Sequence, residues 1–209
     1  MRGVTESATT EATGPAPPLL VPAPGAEQHV ALDFANSALT LPGGQSLDLL
    51  ATPEATARWL AERHLAPPGT DLREVCAQRL RALREQVRAL IASRIDGRAA
   101  PSTALGALND ALTTAPAASL LRWDQGRGLH RVPAHPVTQL VDHAMAVLAA
   151  DAADLLTGPH AERLAACGSA PCTRYLLRTH ARRHWCSIRC GDRARAARAY
   201  ARRTRSQAP

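Results

Sequence analysis

The sequence predicts a mainly α protein with one small β-hairpin: a helical N-terminal domain, then a small cysteine-containing module that ends in a basic helix. Apolar residues make up 45% of the 209 residues but aromatic residues only 3%, so alanine and leucine fill the core, and they favour helices. Long segments repeat their apolar residues every three or four positions. Four of the five cysteines lie close together near the C-terminus.

Composition divides the chain into three parts. Residues 1–26 are rich in proline, threonine, alanine and glycine without periodicity, which predicts a disordered tail. Residues 27–157 contain the periodic segments and are expected to form the helical domain. A Thr-Gly-Pro sequence at 157–159 ends that domain, and residues 160–205 form the C-terminal module.

The helical domain begins with a short element and a capped helix. Residues 29–39, HVALDFANSAL, are either a short strand or the start of a helix. Thr52 is a suitable N-cap and is followed by Pro53 at the first helical position, so a helix is expected to run to about residue 64.

Three more helices and a hairpin follow. A helix is predicted from about Asp71 to Ile95, with Gly97 as its stop, and arginines including Arg84 lie mostly off its apolar face. A second runs from about 102 to 112. The remaining elements are a hairpin over 117–133, turning near Asp124-Gln125-Gly126, and a helix from Pro136 to about Leu156.

The C-terminal cysteines form two close pairs, Cys167 with Cys172 and Cys186 with Cys190, separated by 13 residues. Each pair suits a tight turn that directs two thiolates to one point, and the connector brings the turns together. This spacing is typical of a tetrahedral zinc site. One Zn²⁺ is expected in a structural role, because four thiolates leave no open position for water or substrate.

Other interpretations of the cysteines remain open at this stage. Two disulfides or four unrelated thiols would use the same residues, although the expected cytoplasmic location keeps thiols reduced. His160, His180 and His184 are possible substitute ligands. Cys76 lies on the apolar face of the long helix and is expected to be a buried thiol.

Positive charge is concentrated in the C-terminal module. Residues 160–209 contain twelve arginines and two acids, a formal charge of +10, whereas residues 1–159 carry a formal −3. A tetrathiolate zinc site lowers the C-terminal value to about +8. Such a module is expected to bind nucleic acid or another anionic surface.

A basic helix is predicted directly after the last cysteine. Gly191 permits a turn with positive φ, Asp192 is a natural N-cap, and residues 193–204 form the helix. Tyr200 is expected to pack on the zinc module while an arginine ridge faces outward; the alternative is a solvated helix without a ligand. The ridge spans about 80° of the helix surface and comprises Arg195, Arg198, Arg202 and Arg205.

The second cysteine pair lies in a stretch that resembles the CGNR zinc finger. Residues 185–193 read W-C-S-I-R-C-G-D-R, similar to the family pattern W-C-S-x-x-C-G-N-R, and a basic helix follows. Asp192 stands where the family has asparagine. An ionised aspartate can cap a helix but cannot donate the hydrogen bond that an asparagine amide offers.

Upstream segments resemble the ABATE domain, which precedes CGNR fingers in bacterial proteins. ALDFANS (31–37), DLLATPEATARWLAERHL (48–65) and the helix that ends at 155–156 carry this resemblance in the right order. With the finger, they cover nearly all of residues 29–205. The resemblance implies a stress-related transcriptional regulator whose finger binds DNA.

The sequence gives little indication of catalysis or membrane insertion. It contains no phosphate-cradling glycine loop, paired carboxylates or Ser/His/Asp pattern, so we do not expect an enzyme. It has no run of 18 apolar residues and no secretory signal, which predicts a cytoplasmic protein without a membrane partner. Asp33 and Asn36 interrupt an apolar stretch and either line a ligand pocket or form hydrogen bonds inside the core.

We therefore predict a zinc-dependent, DNA-binding transcriptional regulator. Its N-terminal domain would bind a small-molecule effector or mediate assembly as a homo-oligomer. Phosphate contacts are expected from the ridge and from Arg182, Arg183 and Arg193. Two alternatives stay open: an RNA-binding or ribosome-associated protein, and a zinc-stabilised module that binds an acidic protein partner.

Overall fold

The computed structural model describes residues 21–40, 44–115, 119–133 and 139–206. Within these ranges the fold is mainly α, as predicted, with six helices and three antiparallel strand pairs. The helices are α1 (Val30–Ala35), α2 (Pro53–Glu62), α3 (Glu74–Asp96), α4 (Ser102–Thr114), α5 (Leu140–Thr157) and α6 (Ile188–Ser206). The strands are β1 (Ala38–Thr40), β2 (Ser46–Asp48), β3 (Ser119–Asp124), β4 (Gly128–Pro133), β5 (Leu164–Ala166) and β6 (Tyr175–Leu177).

The main core forms where α1, α3, α4 and α5 pack together. Leu32 and Phe34 of α1 are fully buried there, beside Leu80 and Ile91 of α3 and Leu148 of α5. The six-residue α1 is therefore a core element, and the segment that the sequence left open between strand and helix is a short helix. None of the helices in the described part of the chain is long and apolar enough to cross a membrane.

The structure contains two of the predicted helix boundaries, the start of α2 and the end of α3. Thr52 caps α2: its Oγ1 accepts a hydrogen bond of 3.2 Å from the Ala55 N–H, and Pro53 occupies the first helical position. Gly97 ends α3 with a left-handed φ of 64°, a conformation that favours glycine. The predicted start of α5 at Pro136 lies outside the described residues, and α5 itself begins at Leu140.

The predicted hairpin is formed by β3 and β4. The Asp124 carboxylate closes its turn by accepting hydrogen bonds from the backbone N–H groups of Gly126 and Arg127, at 2.9 and 2.7 Å. Trp123 pairs with Leu129 across the strands, and both side chains are more than 60% exposed. Residues 117 and 118 of the predicted hairpin lie outside the described ranges.

Arg84 differs from its expected place off the apolar face of α3. Its side chain is only 4% exposed and lies inside the domain. It donates two hydrogen bonds to the Asp48 carboxylate, at 2.6 and 2.9 Å, and a third to the Ser37 hydroxyl at 3.2 Å. Burial is possible because this pairing satisfies the charge.

The β5–β6 hairpin belongs to two cores at once. Leu164 and Leu177 point into the helical core, whereas their neighbours Ala165 and Leu176 face a second core that contains the cysteines. The alternation follows from the two-residue period of a strand. The C-terminal module is thus joined to the helical domain by a shared sheet as well as by the chain.

The N-terminal tail departs from the prediction at its end. Residues 21–26, here called the N-terminal strap, lie against the cysteine core, with Ala23 fully buried in it. The Leu177 N–H donates to the Pro24 carbonyl at 2.8 Å, and Arg174 donates to the Val21 carbonyl at 3.0 Å. Disorder predicted through residue 26 is therefore wrong for the strap; residues 1–20 lie outside the described ranges.

Candidate zinc centre and nucleic-acid interface

The four C-terminal cysteines meet at one point. Their sulfur atoms all lie within 4.8 Å of one another, with 3.7 Å between Cys172 and Cys186 and 3.6 Å between Cys186 and Cys190. Four thiolates at the usual Zn–S distance of about 2.3 Å around a tetrahedral ion lie roughly 3.8 Å apart. Cys167, Cys172, Cys186 and Cys190 therefore fit one Zn²⁺, and none of the five cysteines forms a disulfide.

Backbone hydrogen bonds bring the two cysteine turns together. Cys167 follows β5, and its N–H donates to the Arg174 carbonyl at 2.9 Å. The next residue, Gly168, donates to the His184 carbonyl at 2.8 Å, which joins the first turn to the second. Cys186 lies just before α6 and Cys190 in its first turn, so both pairs are held by regular backbone structure.

The sulfurs share their protons unequally. Hydrogen bonds from the thiols of Cys172 and Cys186 lower the pKa of Cys167 to about 2. Those bonds to Cys167 raise the pKa of Cys172 to about 11, and they also raise the pKa of Cys186. A divalent cation resolves this competition, because it displaces the protons and binds every sulfur as a thiolate.

Two arginines place positive charge beside the sulfurs. Arg174, only 8% exposed, has its Nη1 4.0 Å from the Cys186 sulfur; the sequence analysis missed this residue, since nothing in its neighbourhood marks it. Arg193 has its Nη2 3.4 Å from the Cys190 sulfur and donates to the carbonyls of Ser169 and Ala170 at 3.0 and 3.1 Å. Arg193, expected to contact nucleic acid, thus braces the first cysteine turn.

The basic helix begins earlier than predicted, and Ser187 caps it. The Cys190 N–H donates to the Ser187 hydroxyl at 3.2 Å, and α6 starts at Ile188. The prediction that Asp192 is the N-cap is wrong: Asp192 lies inside the helix and pairs with Arg195 at 2.5 Å. Ser187, five positions before Asp192, caps the helix in its place.

Gly191 has a different role from the expected one. It lies within α6, where helical φ is negative, so a positive φ is not the reason for glycine. A Cβ at this position would lie 3.1 Å from Cε3 of Trp185. Glycine therefore lets the Trp185 indole pack directly on the first turn of the helix.

Trp185, not Tyr200, connects the ridge face of α6 to the zinc module. The guanidinium carbons of Arg195 and Arg198 lie 5.6 and 5.5 Å from the Trp185 ring centroid, within cation–π range. Tyr200 is 69% exposed, so its predicted packing on the module is wrong. The ridge begins beside the Trp185 ring, and most side chains of α6 that follow this contact are exposed.

The models of two protein families match the chain. Residues 28–159 match ABATE, described as "Putative stress-induced transcription regulator", and residues 163–203 match the CGNR zinc finger. The chain belongs to the ABATE family. Its finger is the CGNR type, so the four-cysteine cluster is a site able to hold one zinc ion. No curated protein matches the chain.

One of the two polar side chains that the sequence analysis singled out, Asn36, joins the ABATE domain to the CGNR finger. Asn36 exchanges two hydrogen bonds with the backbone of Tyr175 in β6, at 2.9 and 2.8 Å. Asp33 pairs with Arg63 at 2.5 Å. Both residues therefore act in structure, the second of the two interpretations, and Arg88 adds a cation–π contact to the Tyr175 ring at 5.1 Å.

The remaining candidates are distributed around the finger. Arg182 is exposed and Arg183 is half-buried in the connector, and Arg202 and Arg205 are exposed towards the end of α6. No histidine belongs to the metal cluster within the described ranges. His160 instead forms a 2.9 Å hydrogen bond with His29 of the ABATE domain. Cys76, predicted to be buried, is only partly so.

Proposed function

We propose that this ABATE protein is a zinc-dependent transcriptional regulator and that α6 of its CGNR finger contacts duplex DNA. The observation that carries the proposal is the composition and exposure of α6. Its 19 residues include seven arginines and one acid, and almost all of its outer half is exposed. A helix of this length is about 28 Å long, enough to cross several phosphates of a duplex.

The attachment of α6 supports recognition by the helix. Its first turn carries Cys190 and packs against Trp185, so zinc and the indole fix one end while the remainder extends from the module. The major groove of B-DNA admits an α-helix, and arginine can contact phosphates or guanine there. A charge-rich helix held rigidly at one end is suited to such insertion.

The ABATE domain is proposed to place and regulate the finger. Its contacts with β6 make the finger's position sensitive to the helical core. An effector that binds this domain, or its assembly into a homo-oligomer, would then act on DNA binding. We propose the cytoplasm as its location, where reduced thiols remain available for zinc, and expect no catalytic activity.

The proposal is tested by the salt dependence of duplex DNA binding. Each phosphate contact contributes about 0.9 to the slope of log K against log salt, so changing Arg202 and Arg205 together to alanine should flatten the slope by up to about 1.8. Alanine preserves helix propensity. Changing Arg122 and Arg127 of the exposed β3–β4 hairpin to alanine removes the same charge elsewhere, and should leave the slope unchanged.

The outcomes separate the competing functions. Equal flattening by both double variants would mean a general charge effect and overturn recognition by α6. Tighter, equally salt-dependent binding to single-stranded RNA would favour the RNA-binding alternative, for which the exposed Tyr200 provides a stacking surface. Salt-independent binding to DNA would contradict the proposal altogether.

A further inference from the structure

A groove of about 500 Å³ lies beside the zinc centre, between the first cysteine turn and α6. Its volume is in the range of pockets that bind small ligands, roughly 300–1,000 Å³. The groove opens next to the arginine ridge, because Arg198 contributes to both. Its lining includes Gly168, Ser169, His184, Trp185, Ala197 and Arg198.

The lining of the groove combines two aromatic rings with a buried hydroxyl that has no hydrogen-bond partner among the described residues. The Trp185 indole meets the His184 imidazole in an edge-to-face contact, with ring centroids 6.1 Å apart and ring planes inclined by 71°. Ser169 is 2% exposed, and its hydroxyl has no hydrogen-bond partner within the described residues. A buried hydroxyl of this kind is costly unless a ligand or water satisfies it. Gly168 has no side chain and Ala197 contributes only a methyl group to the lining, so neither residue fills the groove.

We propose that this groove binds one unstacked nucleobase of the nucleic acid whose phosphates lie along the ridge. The inference rests on the proposed function and adds the form of nucleic acid that the finger prefers. A base offers a flat π-face to Trp185, hydrogen-bonding edges to Ser169, and an adjoining phosphate to Arg198. An acidic peptide would use the arginines but would leave the aromatic rings and the hydroxyl without complementary groups.

The expected preference is for a duplex that contains one extrahelical base. A paired base must be unpaired and unstacked before it can enter the groove, and this costs free energy. An extrahelical base is already unpaired, so most of that cost is absent. Stacking of one base on an aromatic side chain commonly raises affinity about tenfold or more. Full-length, zinc-loaded protein should therefore bind a duplex with a single extrahelical adenine about tenfold more tightly than the fully paired duplex.

The test compares two alanines on neighbouring positions of α6. Ala197 lines the groove, whereas Ala196 is exposed and does not line it. Ala197→Leu should fill the groove and abolish the tenfold preference while leaving affinity for the paired duplex unchanged. Ala196→Leu makes the same chemical change outside the groove and should retain the preference. Both substitutions keep a strong helix former in place.

A second measurement reports contact inside the groove. When 2-aminopurine replaces the extrahelical adenine, its fluorescence should fall on binding to the wild-type protein and to Ala196→Leu, because the base stacks on Trp185. It should stay high with Ala197→Leu. Ser169→Ala should reduce the preference several-fold without unfolding the finger, since the hydroxyl has no partner in the described protein.

The two proposals fail in different ways. Equal, salt-dependent affinity for the paired and extrahelical-base duplexes would overturn the base-binding groove and leave DNA binding by the ridge intact. A preference that survives Ala197→Leu would also overturn it, because the base would then bind elsewhere. Absence of salt-dependent binding to both duplexes would overturn the proposed function itself.

Discussion

The Arg84–Asp48 pair places a buried positive charge inside the ABATE domain, beside a carboxylate that is about one-third exposed. Burial alone would raise the pKa of Asp48, but hydrogen bonds from the Arg84 guanidinium and from the Leu50 N–H, with the charges of Arg84 and Arg81, lower it. Arg84 is only 4% exposed, so solvent contributes little to stabilising its charge. Its charge is balanced mainly by the ionised Asp48 carboxylate, with the more exposed Glu85 as a second partner at 2.9 Å.

Asp48→Asn is predicted to destabilise the protein by about 2 kcal/mol at neutral pH, because it removes the charged acceptor of two guanidinium hydrogen bonds and leaves Glu85, which is more than half exposed, as the remaining charged partner of Arg84. The folded-state pKa of Asp48 is lowered, so its stabilising contribution is complete above the unfolded pKa of about 3.9 and disappears as the pH falls through the folded value. The difference in unfolding free energy between wild type and variant, measured by urea denaturation, should shrink below about pH 4.

Asp96→Asn provides the matched control for this prediction. Asp96 forms an ion pair with Arg98 in which both side chains are about half exposed or more. Its loss should cost about 0.5 kcal/mol or less, since exposed pairs contribute little. If Asp48→Asn loses no more stability than Asp96→Asn, the buried Arg84 does not depend on Asp48. The same conclusion would follow if the difference in stability between Asp48→Asn and wild type did not depend on pH.

Individual residues also show which features could be predicted from the sequence and which could not. The four zinc ligands were recognisable because their spacing is a local property of the chain. The bracing role of Arg193 and the burial of Arg84 depend on carbonyls and carboxylates more than 20 residues away along the chain. No local pattern indicates such distant partners, so both arginines were assigned to the surface.

At the scale of elements, α6 shows why a helix can be predicted correctly and its faces wrongly. Residues 193–204 are helical, as expected, but the zinc module contacts only the first turns. The prediction assumed that the apolar face containing Tyr200 would pack. The packing partner is Trp185, which lies before the helix and selects the face that carries glycine at 191.

The N-cap of α6 provides a prediction at this scale. Ser187→Ala should lower the stability of the zinc-loaded finger by about 1 kcal/mol, because the Cys190 N–H loses its acceptor. Asp192→Asn, which restores the residue of the CGNR pattern inside the helix, should change stability little, since Asp192 makes only an exposed pair with Arg195. Thermal unfolding followed by circular dichroism compares the two. If Asp192→Asn loses more stability than Ser187→Ala, Asp192 and not Ser187 caps the helix.

At the scale of the whole molecule, the described residues form two hydrophobic cores, and the β5–β6 hairpin contributes side chains to both. The sequence predicts a division at 157–160; the ABATE match ends at residue 159 and the finger match begins at residue 163. The sequence could place this division because proline and glycine mark it. It could not show that Leu164 and Leu177, on the finger side, belong to the helical core, because alternation in a three-residue strand is too short to assign its faces.

The N-terminal strap gives the last prediction, because it closes the cysteine core from the opposite end of the chain. Removing residues 1–26 leaves the Leu177 N–H and the Arg174 guanidinium without their carbonyl acceptors and uncovers the part of the cysteine core in which Ala23 is buried. The two lost hydrogen bonds should lower the melting temperature by about 5 °C and speed the extraction of zinc by a chelator.

Removing residues 1–20 provides the control, because that variant keeps the strap. It should retain the wild-type melting temperature and rate of zinc extraction, both measured on the full remaining chain. If the two truncations lose zinc equally fast, the strap does not stabilise the centre. If only the longer truncation does, zinc retention depends on residues nearly 150 positions before the first ligand, and the finger is complete only in the presence of its own N-terminal segment.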